Sequence, residues 1–259
     1  RWIRLVDAWT LAALGLYVEM KQRNVQPNVF TYNALIAVCA KAAVRRRGRD
    51  WNALALRILR DMEGAKLQAT DSTFVGLMEV CSASTGRREC RSAGMGTALW
   101  LLDKCYAAGL EPTPVVHTML FNTARRERTL EAVLGAQEVF NALPKKRRRN
   151  KHLYSSLMSA YSAVGRWQEV VELMERARAD GVSPDRIMYS VCMEATGHDK
   201  ESVLRLHREM LADGIEDTPE TQRLIQRVES YQFSSLRRRS VRGDRDRART
   251  DLTSTAAQE

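Results

Sequence analysis

One small pattern recurs five times along this chain and constrains its fold more than any other feature. An aromatic residue or a histidine is followed three and four positions later by two apolar residues. The five copies are Tyr32/Leu35/Ile36, Phe74/Leu77/Met78, His117/Leu120/Phe121, Tyr154/Leu157/Met158 and Tyr189/Cys192/Met193. Residues at i, i+3 and i+4 share one face of an α-helix. A second apolar stretch of helical period follows in each unit, as in Ala53-Leu54-Ala55-Leu56 running on to Met62, or Val170-Val171-Glu172-Leu173-Met174. Breakers then end it: Gly109-Leu110-Glu111-Pro112, Gly181-Val182-Ser183-Pro184-Asp185 and Gly214-Ile215-Glu216-Asp217. Glycine accepts the left-handed conformation that closes a helix, and a nearby proline prevents its continuation. Each unit therefore predicts helix A, a turn, helix B and a tight connection. A single hairpin of this kind cannot bury its apolar face, whereas stacked neighbours share a continuous core. The expected fold class is all-α, an α-solenoid of stacked antiparallel helix-turn-helix hairpins.

The period is not constant. Tyr154 and Tyr189 stand 35 residues apart, but the earlier anchors are separated by 42, 43 and 37. The additional residues fall between helix A and helix B, in Val44-Arg45-Arg46-Arg47-Gly48-Arg49 and Ser84-Thr85-Gly86-Arg87-Arg88-Glu89. Such polar insertions are expected to bulge outward from the hairpin tips, since longer surface loops add little closure entropy. The organisation that follows is a partial unit over 1–28, five repeats over 29–70, 71–113, 114–150, 151–185 and 186–218, and a terminal helix over 219–233. Residues 234–259 lack apolar periodicity and read as a disordered basic tail. The chain opens Arg-Trp-Ile without an initiator methionine, so it is expected to be a fragment or a processed chain with any targeting peptide outside it.

Composition narrows the function. Hydrophobic residues at 44% and charged residues at 28% suit a folded domain, and no apolar run reaches the length of a membrane span, so no membrane insertion is expected. A net charge of +10 and a pI near 9.7 favour polyanionic partners without choosing among them. The five cysteines are odd in number and include no C-x-x-C pair, which argues against both a disulfide framework and a zinc knuckle. Cys39, Cys81 and Cys192 lie within apolar helical stretches and read as small buried hydrophobes. His207-Arg208-Glu209 matches half of a zinc-deaminase signature, but no cysteine pair follows it. With no phosphate-cradling glycine loop and no catalytic constellation, the chain is expected to be neither an enzyme nor a cofactor carrier, and to hold no metal.

Phe30-Thr31-Tyr32-Asn33-Ala34-Leu35-Ile36 and Gly181-Val182-Ser183-Pro184-Asp185 resemble the opening and closing segments of pentatricopeptide repeats, and the resemblance extends over residues 1–233. It implies a right-handed solenoid that binds single-stranded RNA, one base per repeat, read by two or three side chains. It further implies that the fifth and last residues of each repeat face the base edge. Those pairs are Asn33 with Thr70, Val75 with Thr113, Thr118 with Asn150, Ser155 with Asp185, and Ser190 with Thr218. Residues at the second place, Phe30, Ser72, Val115, His152 and Ile187, would pack on base faces. By the family's code Thr118/Asn150 favours adenine, Ser155/Asp185 guanine and Asn33/Thr70 a pyrimidine, while apolar Val75 departs from the polar pattern. The same small polar residues also suit helix N-termini.

Lys145, Lys146, Arg147, Arg148, Arg149 and Lys151 fall at a connection between repeats, where they would neutralise phosphates. Arg45 to Arg47 and the arginine-rich tail read first as solvated charge. The expected role is that of an RNA-binding adaptor in organellar RNA processing, stability, splicing or translation. It would act as a monomer in a mitochondrion or chloroplast, with possible recruitment of processing proteins. The competing expectation is a helical scaffold that binds a protein segment instead.

Overall fold

A computed structural model describes residues 2–45, 49–197 and 199–228. It forms two compact units, Arg1–Pro184 and Asp185–Glu259. The first unit opens with α1 (Trp2–Gln22) and continues as three hairpins: α2 (Val29–Arg45) with α3 (Trp51–Gly64), α4 (Asp71–Ser84) with α5 (Met95–Ala107), and α6 (Pro114–Glu127) with α7 (Leu130–Ala142). A single turn, α8 (Lys145–Arg148), leads into a fourth hairpin of α9 (Lys151–Ala163) and α10 (Trp167–Ala179). The second unit holds α11 (Arg186–Ala195), α12 (Lys200–Ala212) and a helix α13 over 219–228. The described residues contain no strand. The last part of the expected terminal helix and the whole of the basic tail lie outside the described residues.

Within the first unit the first helices form a row, α2 on α4, α4 on α6 and α6 on α9, and each is also packed by the second helix of its own hairpin. This is the α-solenoid arrangement that the recurring pattern predicts. The twelve anchor side chains from Tyr32 to Met158 make its core, none of them more than 4% exposed, and Tyr189, Cys192 and Met193 are buried in the second unit. Each large apolar side chain buried in this way contributes about 1.5–3 kcal/mol. The row is close-set at Gly76, where an added Cβ would lie 2.9 Å from Ile36 Cγ2. Cys39, Cys81 and Cys192 are buried and free, and so are Cys90 and Cys105. Burial pushes the Cys81 thiol up to about 11.

Second helices end alike. Amide-to-carbonyl bonds spanning five residues join Val25 to Met20, Leu67 to Met62, Leu110 to Cys105, Val182 to Ala177 and Ile215 to Met210. Each closes a left-handed turn at Asn24, Lys66, Gly109, Gly181 or Gly214. The bond satisfies a terminal carbonyl. The third hairpin departs from this, because α7 runs into Leu143 and Pro144 in extended conformation.

The inserted segments do not simply bulge. Ser92 donates its backbone N–H and its Oγ to the Asp50 carboxylate at 3.3 and 2.8 Å, and Asn52 Nδ2 donates to the Ser92 carbonyl at 2.7 Å. Asp50 is the N-cap of α3, so the second insertion is pinned to the start of a helix in the preceding hairpin. Polar groups that find buried partners organise a loop that composition alone describes as solvent-facing.

Candidate nucleic-acid interface

The N-terminal turns of the first helices carry the residues expected to read bases. At the second place of each repeat, Phe30 is 83% exposed, Val115 47% and Ile187 53%, and His152 and Ser72 are exposed as well. An 83%-exposed phenylalanine serves no packing role within the chain, and in α2 it sits two residues before the fully engaged Tyr32. Three such side chains, Phe30, Val115 and His152, stand at the same end of three members of the stacked row.

The pair Asn33 and Thr70 is in direct contact. Asn33 Nδ2 donates to Thr70 Oγ1 at 3.3 Å, and Thr73 Oγ1 donates to Asn33 Oδ1 at 2.7 Å. The fifth residue of one repeat thus touches the last residue of the same repeat, 37 positions later, where that residue opens the next first helix. Val75 and Thr118 are half-buried at equivalent places on α4 and α6, and Thr118 Oγ1 donates to the Pro114 carbonyl at 2.9 Å. Thr113 is half-buried, and its Oγ1 lies buried without a hydrogen-bond partner. Ser155 differs from the others: only 6% exposed, it donates from Oγ to the His152 carbonyl at 3.2 Å. Its hydroxyl is turned back into its own helix, which makes it the least accessible of the expected base-edge residues. Ser190 is half-buried on α11.

The last residues of the repeats have a structural duty that the spacing also foreshadows. Asn150 Oδ1 accepts the His152 N–H at 2.9 Å, Asp185 Oδ1 accepts the Met188 N–H at 3.0 Å, and Thr218 Oγ1 accepts the Thr221 N–H at 3.2 Å. They cap α9, α11 and α13. Capping uses one acceptor and leaves the rest of the side chain free: the amide Nδ2 of Asn150 and the second carboxylate oxygen of Asp185 are not consumed by it.

The basic run is only partly available. Lys145, Lys146, Arg149 and Lys151 are exposed, but Arg147 forms an ion pair with Glu111. Arg148 is half-buried with Nε shielded from water, and its charge acts on Tyr154 and Asp180. The expectation of six free phosphate contacts is therefore corrected to four. Folding the run into the turn α8 draws the adjacent guanidiniums of Arg147 and Arg148 back toward carboxylates of the repeat frame.

Tyrosine anchors also carry a latch that periodicity does not reveal. Tyr154 Oη donates to Asp180 and Tyr189 Oη to Asp213, both at 2.6 Å. Each aspartate is the C-cap of the second helix of its hairpin. The tyrosine hydroxyl holds the Asp180 carboxyl below its usual range, and burial together with that carboxylate raises Tyr154. Where the anchor is Phe74 the corresponding cap is Ala108, so hydroxyl and carboxylate are absent together. His117 takes a third course: its Nδ1 lies 3.0 Å from the Thr113 carbonyl, and burial lowers its affinity for a proton. His207, from the partial deaminase signature, pairs with Asp217 at 2.7 Å and so ties α12 to the segment that follows it.

Among the described residues no group of three or more His, Cys, Asp or Glu is placed to hold a metal, and no helix is long and apolar enough to cross a membrane. Fold and site together define a helical-repeat protein whose first helices, within the first unit, are stacked in one row. Residues 10–41 match the model described as PPR repeat family, and residues 152–182 match the model described as PPR repeat. Two pentatricopeptide repeat-containing proteins of Arabidopsis thaliana are 24% and 23% identical over 171 and 186 residues, covering 66% and 72% of this chain. The chain spans 26% and 22% of those relatives' lengths. The crystal structure of the pentatricopeptide repeat protein PPR10 from maize superposes with a TM-score of 0.59 at 20% identity, over 86% of this chain and 30% of that one. Nuclear proteinaceous RNase P 2 from A. thaliana gives 0.57 at 14% identity, over 78% and 42%. Two segments of this chain thus match pentatricopeptide-repeat models, and the chain shares the helical-repeat fold of pentatricopeptide-repeat proteins.

Proposed function

We propose that the chain binds single-stranded RNA along the N-terminal turns of its first helices and acts as an adaptor in organellar RNA processing, stability, splicing or translation. The observation that carries this is the contact of Asn33 with Thr70 beside the almost fully exposed Phe30. A polar pair bridging successive first helices, next to an apolar platform, is what an unstacked base needs: edge hydrogen bonds and a face to lie on. Lys145, Lys146, Arg149 and Lys151 supply sequence-indifferent attraction for the backbone. Thr118 with Asn150 is assigned to adenine and Asn33 with Thr70 to a pyrimidine. Mitochondria or chloroplasts are the proposed compartments, on family grounds.

The test must separate reading from capping, because truncating Asn150 also removes a helix cap at a cost of about 1 kcal/mol. Asn150→Asp keeps the cap acceptor and replaces the amide donor with a carboxylate oxygen. Filter binding with strands varied at one position should show preference moving from adenine to guanine, with the melting temperature nearly unchanged. Unaltered preference would reject the assignment. Indifference of the wild-type chain to every single strand, with capture of a protein segment instead, would favour the scaffold.

A further inference from the structure

The inserted loops gather arginines that the row of first helices does not use. Segment 85–94 is fastened on both sides. Toward the first hairpin, its Ser92 is held by Asp50 and Asn52, and Arg87 Nη2 donates to the Val44 carbonyl at 3.2 Å. Toward the third, Glu127 Oε2 accepts the Met95 N–H at 2.6 Å. Gly86, at φ +77°, runs so close to the end of α6 that a Cβ there would stand 3.0 Å from the Arg126 carbonyl. The tips of three successive hairpins therefore form one braced surface.

Arg49, Arg88, Arg91, Arg125, Arg126 and Arg128 stand on that surface, all of them exposed except the half-buried Arg125. Of the carboxylates nearest in sequence, Asp50 is committed to Ser92 and Glu127 to the Met95 amide, while the exposed Glu89 beside Arg88 forms no ion pair with it. Among the described residues no ion pair neutralises Arg88, Arg91, Arg125, Arg126 or Arg128. Burial, and after it crowding by the Arg125 and Arg87 guanidiniums, lowers Arg126's hold on its proton. Such crowding disfavours the folded state unless a polyanion relieves it.

Two features indicate which polyanion. Segment 84–94 and the end of α6 supply arginine and no lysine, and the guanidinium fork grips two phosphate oxygens at once. The surface also lacks an exposed aromatic side chain, the one nearby, Trp51, being 2% exposed. It gives unpaired bases nothing to stack on, unlike the other end of the same helices. The two ends are continuous along α6, whose accessible residues Val115, Thr118, Asn122, Arg125 and Arg126 follow one another at helical spacing. Thr118 and Arg126 are separated by about 12 Å of helix.

We propose that these hairpin tips are a second RNA-binding surface, one that holds the phosphate backbone of a base-paired segment flanking the strand read by the first helices. The inference shares with the preceding section the class of ligand but not the base-reading residues. The chain is tested with a blunt RNA duplex that has no unpaired bases, and in parallel with a short single strand carrying the preferred bases. The variant is Arg88→Ser with Arg91→Ser and Arg128→Asn, the asparagine chosen because position 128 is left-handed at φ +58°. Duplex affinity should fall at least about tenfold, and the slope of log affinity against log salt should flatten by about 2 to 3, near 0.9 per lost phosphate contact. Single-strand binding should change by less than about twofold, since no counterion-releasing contact to that strand is removed. Should the triple variant lose its thermal transition, Arg88→Glu alone serves, and it should weaken the duplex complex by a similar factor. Wild-type indifference to duplex, unchanged duplex affinity in the variants, or equal displacement by polyglutamate of matched charge would each overturn the proposal. If single strands are ignored while duplex binding still depends on these arginines, the base-reading proposal fails and this one stands.

Discussion

At the scale of single residues, anchor and cap vary together in three of the hairpins, whereas Tyr32 stands with an Ala65 cap and donates to the Asp61 carbonyl at 3.4 Å. Tyrosine at the anchor goes with aspartate at the C-cap in the fourth and fifth hairpins, and phenylalanine goes with alanine in the second. A buried hydroxyl without an acceptor costs about 1–3 kcal/mol, so neither partner is tolerated well alone. Tyr154→Phe should lower stability by about 1–2 kcal/mol, the worth of one hydrogen bond to a partly exposed carboxylate, measured by denaturant unfolding. Phe74→Tyr should also destabilise, by about 1–3 kcal/mol, and Ala108→Asp added to it should recover most of the loss. Additive losses in that double variant would show that the two positions do not face each other. The same scale shows how a cap could also serve the proposed reading: Asn150 and Asp185 spend one acceptor on the helix and keep further polar atoms beyond it.

At the scale of elements the first helices approach one another because Gly76 lets them. Its Cβ position is already taken by Ile36, whose branched side chain has little freedom to move aside. Alanine is the better helix former by about 1 kcal/mol, but forcing an extra methyl into a packed contact costs about 1–3 kcal/mol. Gly76→Ala should therefore destabilise on balance, and a melting temperature equal to or above that of the wild type would refute the close-packed reading of α2 on α4. The second helices show how much variation one ending tolerates. Glycine, asparagine and lysine all occupy the left-handed position, and the five-residue hydrogen bond forms at each.

At the scale of the whole molecule, charge determines how the chain meets its partner. A net +10 does not spread evenly: part lies in the run around α8 and part on the tips of the first three hairpins. With four free cations in the run, the single-strand salt slope should be near −3, at about 0.7 per contact. Raising salt fourfold should then weaken single-strand binding by about fifty-fold, read by filter binding. A slope near zero would show that the run plays no part.

Legibility followed the range of the forces. Helix pairing, the anchors of the core, the glycine-marked ends and the caps were readable in order along the chain, because helical period, left-handed turns and cap hydrogen bonds join residues within about five positions of each other. The positions proposed to meet base edges came from the family's register, and of those pairs Asn33 lies in hydrogen-bond contact with Thr70. What tertiary structure alone decided involves partners about 25 to 45 positions apart: Tyr154 on Asp180, Arg147 on Glu111, and Asp50 on Ser92. Short-range pattern says that a polar insertion is soluble and a lysine-arginine run is charged. Which of those charges is neutralised, and which is left facing outward for a ligand, depends on where the stacking of hairpins brings distant carboxylates, and that is a property of the packed chain.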